Sequence, residues 1–596
     1  MNKSIYKSSR LFLRKQSCNV ICQLFMSSSY QPKFSYSNIF RKKCSDDSLH
    51  NLETKYKKLE ESSLVEQRYF LRNPELHTDA DSKSKDLDIL FVPNEVLTSV
   101  TQKAIIYIQH FYRREHLQSL RNIYDDVLSS KNDRSIALEL LKNASIASGG
   151  ILPSCQDTGT ACIFAKRGKH IMTQSNDEEA ISRGVYNAYT QHNLRYSILS
   201  PLSMFEEKNT NCNLPAQIDI MTNFDNPLEY ELLVIAKGGG SSSRTFLYQE
   251  NKSLLNEEKL MKFLIDAVKK LGTSGCPPYH LVVVIGGLSP EQCLKTVKLT
   301  AAHYLDDLPH SGDETGQAFR DIEWEQKIFE LSRNIGIGAQ FGGRHYCHDV
   351  RVIRLPRHGA HTPVGIGVSC SADRQVKVKI NKTGVYMEQL EENPAQFLPD
   401  QISSSEVEKS SETIHINLNL PLKEVQKILS NYPVGTRLNL SGTLIIARDI
   451  AHARILSNLK ETGKLPNYML KYPFVYYAGP AKTPPNMISG SLGPTTAGRM
   501  DLYLDPFMEA GGSFITLAKG NRSEIARQAC LKHKGFYLGV PGGPAAFHSV
   551  QKIKKLQILD FEDLGMEAVW LAEVENFLAF IVIDDKGNDF YKQWLG

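Results

Sequence analysis

One stretch of the sequence limits how the chain can fold, because it offers almost no apolar surface to a core. Residues 391–413 are rich in Ser, Glu, Pro and Gln, a composition typical of a linker. At roughly 150 residues per domain, a chain of 596 residues has room for several domains. Helix and strand patterns occur on both sides of the stretch. The sequence therefore predicts a two-domain protein of mixed α/β and α+β class, with an N-terminal domain at 46–390 and a C-terminal α/β domain at 414–596.

The first 45 residues differ in charge from the rest of the chain. They hold nine of the 70 Lys and Arg residues and no Asp or Glu. A Ser-rich, basic start is typical of a mitochondrial transit peptide, so we expect residues 1–45 to direct import. Initiation at Met26 would give a shorter, cytosolic form. The remaining chain is slightly acidic, which argues against a nucleic-acid partner. No apolar run approaches the ~20 residues of a membrane span, so we expect no membrane association.

Apolar spacing predicts several elements around the candidate functional residues. Val96–Asp126 has the spacing of one long amphipathic helix, and Leu281–Ile285 has that of a buried strand. After residue 413, short apolar runs separated by glycine turns predict a series of strands. The last two of these runs are AVWLAEV and FLAFIVID.

Three of the eleven cysteines lie in loops rich in Gly, Pro and Ser. Cys155, Cys276 and Cys370 are separated by 121 and 94 residues, so they form no local metal-binding motif. Three thiolates assembled in space suit a soft iron–sulfur site, in which a four-iron cluster keeps one iron open as a Lewis acid. Buried packing is the alternative for each cysteine. His345, Cys347 and His348 have the wrong spacing for a zinc finger, so packing is the preferred interpretation there.

Polar residues follow several predicted strands in the C-terminal half. Arg448 and Lys519 stand at strand ends, and Thr495, Thr496 and Arg499 share a glycine-rich turn. Arginine binds carboxylates through two parallel hydrogen bonds, so this set predicts a site for a small dicarboxylate. Surface salt bridges are the alternative for each residue alone.

The motifs CQDTGTA, KGGGS, RLPRHGA, GVSCSADR, GTLIIARDIAHARI and GPTTAGRMD occur in this order between about Gly149 and Lys519. Together they resemble class I fumarate hydratase, the oxygen-sensitive iron–sulfur type. The resemblance implies a homodimeric hydro-lyase of the tricarboxylic acid cycle. Such an enzyme interconverts fumarate and (S)-malate, and its C-terminal domain closes over an N-terminal domain that holds a [4Fe–4S] cluster.

The resemblance also implies roles for individual residues. Its cluster ligands are Cys155, Cys276 and Cys370. Its catalytic groups are Thr495 as base, Asp157 as proton partner and His358 as a substrate contact. Its other substrate contacts are Gln156, Arg195, Gly238, Arg448, Arg499 and Lys519, to which we add Thr496. Arg244 and His361 stand where the sequence departs from the family pattern. A related dicarboxylate hydro-lyase acting on tartrate or mesaconate, and a non-catalytic iron–sulfur protein, are the alternatives.

Overall fold

The structure is a computed structural model that describes residues 56–70, 87–400 and 413–595. The predicted targeting segment at 1–45 and residues 401–412 of the predicted linker lie outside the described residues. Helices and strands alternate along the described chain, so the prediction of a mixed α/β protein is confirmed. Within these ranges, no helix combines the length and the apolar character needed to cross a membrane.

A six-stranded sheet forms one layer of the N-terminal half. All neighbouring pairs are antiparallel except the last, which is parallel. In spatial order its strands are β1 (Tyr56–Lys58), β16 (Gly384–Glu388), β15 (Gln375–Asn381), β9 (Tyr230–Lys237), β4 (Thr160–Gly168) and β8 (Gln217–Asn223). A three-stranded sheet lies beside it, made of β2 (Glu66–Phe70), β3 (Leu87–Val92) and β5 (Ile171–Thr173).

A five-stranded sheet forms the second layer of the N-terminal half. In spatial order its strands are β10 (Phe246–Glu250), β14 (Thr362–Ser369), β11 (Tyr279–Gly287), β13 (Cys347–Arg357) and β12 (Phe319–Arg320). Only β11 and β13 run parallel, so they begin at the same edge, and β14 ends there. Strand β11 is buried along its whole length, as its unbroken apolar run predicts.

A seven-stranded sheet forms the C-terminal half. In spatial order its strands are β17 (Ile414–Asn417), β18 (Arg437–Ile446), β19 (Phe474–Tyr476), β22 (Ile515–Ala518), β23 (Phe536–Gly539), β25 (Val569–Ile583) and β24 (Ile553–Asp560). Strand β18 also pairs with β25, which closes the sheet on itself. The two predicted runs AVWLAEV and FLAFIVID belong to this single strand β25, so the prediction of two strands is wrong. Two small hairpins complete the strands: β6 (Leu199–Pro201) with β7 (Glu207–Asn209), and β20 (Ala478–Pro480) with β21 (Leu492–Pro494).

The helices pack on the faces of these sheets. Those of the N-terminal half are α1 (Asn94–His110), α2 (Arg114–Asp125), α3 (Lys131–Ala147), α4 (Asp177–Gln191), α5 (Gly239–Ser242), α6 (Glu257–Leu271), α7 (Pro290–Ala301) and α8 (Ile322–Asn334). Those of the C-terminal half are α9 (Leu422–Ser430), α10 (Asp449–Thr462), α11 (Asn467–Lys471), α12 (Asp501–Glu509), α13 (Glu524–His533), α14 (Ala545–Gln551) and α15 (Lys592–Leu595).

The prediction of one long helix over Val96–Asp126 is wrong, because two helices, α1 and α2, occupy that stretch. The chain extends between them, where Tyr112 forms a β-bridge with Glu391. Glu391 begins the predicted linker, and the N–H of Glu391 donates to Tyr112 O at 2.8 Å. Phe397 is buried nearby in a short 3-10 helix. Residues 391–400 therefore pack against the core.

The two halves of the chain share one apolar core. Phe341, from the N-terminal half, stacks on Phe580 of β25 with their ring centroids 4.1 Å apart. The same cluster contains Leu140 of α3 and Ala518 of β22. The division into domains at residue 390 therefore stays a prediction, because burial joins the regions on either side of it.

Replacing Phe341 by Ala should destabilise both halves together. Removing a buried aromatic ring from a core costs about 3–5 kcal/mol. Chemical unfolding followed by circular dichroism should show a clearly lower midpoint for Phe341→Ala. Phe205→Ala is the matched control, because Phe205 is 97% exposed and a surface change costs at most about 0.5 kcal/mol. Equal midpoints for the two variants would contradict a shared core.

Candidate active site

Three loops bring the predicted cysteines together in one buried cluster. Cys155 lies between α3 and β4, Cys276 between α6 and β11, and Cys370 directly after β14. The three side chains are buried against one another and Ala372. The N–H of Ser371 donates to Cys276 O at 3.2 Å, which fixes the second and third loops to each other. Residues far apart in sequence therefore form one group of thiols.

Cys276 occupies a constrained turn. Its N–H donates to Thr273 O at 3.1 Å, and its φ of 65° is unusual for a side chain other than glycine. Pro277 follows it and directs the chain into β11. Burial raises the pKa of Cys276 to about 11, although the ammonium group of Lys519 opposes the rise. Burial also raises the pKa of Cys155.

The chemistry of this donor set fits an iron–sulfur cluster. Lys519 Nζ lies 2.8 Å from Cys276 Sγ, and the buried guanidinium of Arg374 is the main opponent of the rise in the pKa of Cys155. These cations stabilise thiolates, the form that binds metal. Three sulfur donors brought together from three loops suit a soft iron–sulfur group.

Asp157 and Gln156 extend from the Cys155 loop toward two other loops. Asp157 accepts hydrogen bonds from the N–H groups of Gly239, at 2.7 Å, and Gly159, at 3.2 Å. Burial favours the neutral acid, but the charges of Arg195 and Arg374 hold the pKa of Asp157 below its usual value. Gln156 Nε2 donates to Pro494 O at 3.0 Å, so the Cys155 loop contacts the turn that carries Thr495.

Gly238 allows the close approach of charged groups beside Asp157. A Cβ atom at this position would lie 3.3 Å from both Asp157 Oδ2 and the guanidinium of Arg374. Gly238 precedes the one-turn helix α5, so the backbone turns here directly after β9. The predicted site residue Gly238 thus lies next to Asp157.

Two arginines share one carboxylate. Arg448, between β18 and α10, lies 2.6 Å from Glu567 Oε1, and Arg195 lies 3.9 Å from the same oxygen. Burial and the charges of Arg195 and Arg499 lower the pKa of Arg448 to about 10, so it stays charged at neutral pH. Arg448 Nε is buried and has no hydrogen-bond partner within the described ranges. The two guanidinium groups therefore lie beside one carboxylate, that of Glu567.

Thr495 and Lys519 are held side by side. The N–H of Lys519 donates to Thr495 O at 3.1 Å, and Thr496 forms a β-bridge with Lys519. The guanidinium of Arg499 donates to the Thr495 hydroxyl. Arg499 also pairs with Asp449 at 2.9 Å. Thr495, the predicted base, therefore contacts Arg499 through its side chain and Lys519 through its backbone.

The loop after β13 lies apart from these residues. His358 is exposed, and its described contacts are with Arg357, Ala360 and His361 in its own loop. Its role as a substrate contact stays a prediction, and so does any role of His361. Arg244 lies beside the Cys276 loop, because a Cβ atom on Gly275 would be 3.3 Å from Arg244 Cγ.

Sequence reasoning missed two residues of the site. Arg374 ends the GVSCSADR motif and donates to Gln109 Oε1 at 2.9 Å, yet its neighbours lie on other elements. Glu567 lies in a short 3-10 helix, and its partners are more than a hundred residues away. The only sequence signal for Arg374 is its position four residues after Cys370, a candidate ligand. No sequence pattern marks Glu567.

The other described cysteines do not join the thiol cluster. Cys162 and Cys293 pack in one apolar core, Cys347 in a second and Cys530 in a third. Cys212 is half-buried elsewhere. A fourth cysteine ligand, which an electron-transfer cluster usually has, is absent from the residues that the structure describes.

Comparison with known proteins defines the class. Residues 98–379 match the family described as fumarate hydratase (fumerase), and residues 384–594 match the fumarase C-terminus. "Fumarate hydratase 2" of Leishmania major is 54% identical over 85% of this chain and 88% of its own length. "Fumarate hydratase 1, mitochondrial" of the same organism is 54% identical over 85% and 91%. "Fumarate hydratase class I, aerobic" of Escherichia coli K12 is 51% identical over 86% and 92%.

These matches cover both halves of the chain, so the protein is an enzyme of the hydro-lyase class. The chain belongs to the class I fumarate hydratase family, as its motifs predict. The family implies an iron–sulfur cofactor.

Gly542→Ala should weaken the cysteine site. A methyl group at Gly542 would stand 2.3 Å from Cys276 Sγ and 2.9 Å from Lys519 Cδ, so both side chains must move. Overpacking of this kind costs about 1–3 kcal/mol. Iron and sulfide per chain should fall in protein purified without oxygen. Gly359→Ala is the control, since no atom lies within 4 Å of the added carbon. Full iron content in Gly542→Ala would show that this packing does not support the cofactor.

Proposed function

We propose that the chain catalyses the reversible hydration of fumarate to (S)-malate with an open-iron [4Fe–4S] cluster bound by Cys155, Cys276 and Cys370. The observation that carries the proposal is the buried group of three thiols with Lys519 against one of them. The names of the relatives support the reaction. When bound, a cluster with one iron free of protein ligands supplies a Lewis acid for the substrate oxygen.

Arg448 and Arg195 bind and orient one substrate carboxylate in this proposal. Glu567 now places a carboxylate oxygen 2.6 Å from Arg448 and 3.9 Å from Arg195. A substrate carboxylate of the same charge and shape takes the place of Glu567. The paired guanidiniums then stabilise the negative charge that builds up when the C3 proton leaves.

Thr495 acts as the base in this proposal, and its surroundings explain how a hydroxyl can do so. A threonine hydroxyl is a weak base, so its alkoxide needs positive neighbours. Arg499 donates to this hydroxyl, and Lys519 is bonded to the same residue through the backbone. Asp157 stays ionised because Arg195 and Arg374 outweigh its burial, so it can take up a proton.

Two alternatives would share the cysteine site. A hydro-lyase for tartrate or mesaconate would use the same thiols and arginines, so only competition kinetics separates it from a fumarate hydratase. A non-catalytic iron–sulfur protein has no need for Arg448 and Arg195 beside Glu567. The convergent cations therefore favour an enzyme.

We also propose that the enzyme is a homodimer, as its family resemblance implies, and that it is imported into mitochondria. The support for import is the acid-free basic segment at 1–45 and the word "mitochondrial" in the name of one Leishmania major relative. Fractionation of the source cells with mass measurement of the N-terminus tests import, and a protein found only in the cytosol contradicts it.

Protein purified without oxygen should interconvert fumarate and (S)-malate rapidly. Exposure to air should abolish this activity, because an iron without a protein ligand is open to oxidation. Iron and thiol should restore it. The measurement is fumarate absorbance before and after exposure, with tartrate and mesaconate as competing substrates. Full iron–sulfur absorbance without turnover of fumarate would contradict the proposal. Turnover of tartrate or mesaconate instead would identify the protein as the related hydro-lyase for that substrate.

Thr495→Ala should lower kcat by more than ~10²-fold while iron content stays unchanged, because a general base typically contributes at least that factor. Thr495→Ser keeps the hydroxyl and should retain most of the activity. Thr462→Ala is the control, since Thr462 lies at the exposed end of α10. Wild-type turnover in Thr495→Ala would remove Thr495 from the mechanism.

A further inference from the structure

Three histidines meet at one edge of the five-stranded sheet, outside the cysteine site. His116 comes from α2, His280 from the start of β11 and His348 from the start of β13. Their rings pack together, with centroids 4.8 Å apart for His116–His348 and for His280–His348. They line a cavity of about 940 Å³. The proposed reaction uses none of them.

A β-bulge places His348 in this group. In the ladder between β11 and β13, Tyr279 pairs with Cys347 and His280 pairs with Asp349, so His348 is the extra residue. A bulge turns a side chain away from the regular alternation of the strand. His348 stacks on His280 as a result, with an interplanar angle of 24°.

Each ring has one nitrogen fixed by an outer partner. His116 Nε2 lies 3.2 Å from Ser371 O, and His280 Nδ1 lies 3.0 Å from Asp349 Oδ1. Both partners are acceptors only, so these nitrogens carry hydrogens and donate them. His348 Nδ1 lies 2.8 Å from the Ser119 hydroxyl, which can also accept. Metal-binding histidines typically have such outer partners.

The inner nitrogens face one another without a donor between them. His116 Nδ1 and His280 Nε2 are 3.0 Å apart, and in neutral rings both bear lone pairs. His348 Nε2 is buried and lacks a hydrogen-bond partner among the described residues. Lone pairs that face each other repel unless a cation lies between them. The cation is either one shared proton or a metal ion.

We propose that His116, His280 and His348 bind a divalent transition-metal ion of the zinc type. Their candidate ligand atoms all lie within 4.8 Å of one another. Zinc–nitrogen bonds of about 2.0–2.1 Å place tetrahedral ligands roughly 3.3 Å apart, so small ring rotations suffice. Asp373 Oδ2 lies 3.9 Å from His280 Nε2 and offers a carboxylate for the fourth position.

The surroundings suit a bound cation, because the carboxylates of Asp349 and Asp373 face the His280 ring. The neighbouring cations are already neutralised, because Arg351 pairs with Asp306 and Arg113 pairs with Glu388. The cavity gives an ion a path to the three nitrogens.

The test uses the full chain with its iron–sulfur cofactor, prepared without oxygen and freed of loosely bound metal by a chelator. Zn²⁺ is added and removed by desalting, and bound zinc is then measured per chain and by zinc X-ray absorption. We expect one zinc per chain with only nitrogen and oxygen neighbours. His348→Ala should weaken binding by more than about 100-fold, and Asp349→Asn by roughly 10–100-fold as an outer partner.

His415→Gln is the control, because His415 is exposed on β17. It should bind zinc as the wild type does, and iron content should be the same in all variants that fold. His116→Gln is a second ligand variant in case His348→Ala does not fold. Sulfur neighbours around the zinc would show binding at the cysteines, and no bound zinc would mean that a proton bridges the rings. Either result overturns the proposal without affecting the proposed hydration.

Discussion

The contact between Lys519 and Cys276 joins the two halves of the chain at the site. Lys519 Nζ lies 2.8 Å from Cys276 Sγ, although the two residues are 243 positions apart. A buried ammonium group is costly unless an opposite charge accompanies it. The nearby cysteines provide that charge in their thiolate form, and they raise the pKa of Lys519 against the effect of burial. The position of β22, which Lys519 follows, therefore depends on the cysteine loops of the other half.

Glycines make this approach possible. A Cβ atom at Gly542 would stand 2.3 Å from Cys276 Sγ, and one at Gly520 would stand 2.8 Å from Ser274 Cβ. Gly520 also has a φ of 90°, which few other residues adopt. Both glycines lie in the C-terminal half, and each leaves room for a side chain that the N-terminal half supplies.

The sequence indicated many of the candidate residues that the fold brings together, and less of the fold around them. Apolar runs locate the ends of helices and strands in the sequence. The candidate residues Cys155, Arg448 and Lys519 lie in the loops and turns beyond such ends. The break between α1 and α2 could not be, because it depends on the pairing of Tyr112 with Glu391. That one bridge also explains why the start of the predicted linker is packed.

Long-range partners account for the other differences. Strand β25 crosses Glu575 and Asn576, whose polarity suggests a turn, yet the edge strand β24 and β18 pair with its two sides. Glu567 was missed for the same reason, since only the folded chain brings it to Arg448. The local sequence pattern indicates helix or strand propensity and burial. It does not show which distant group will form a hydrogen bond or ion pair with a polar residue.

The cysteine and histidine groups share one edge because of how β11, β13 and β14 run. Strands β11 and β13 start there and β14 ends there, so Cys276, His280, His348 and Cys370 all lie within a few residues of that edge. The link between the groups is Ser371, whose carbonyl faces His116 and whose N–H bonds to Cys276 O. Movement of His116 therefore acts on the residue next to Cys370, through a backbone unit that is fixed at both ends.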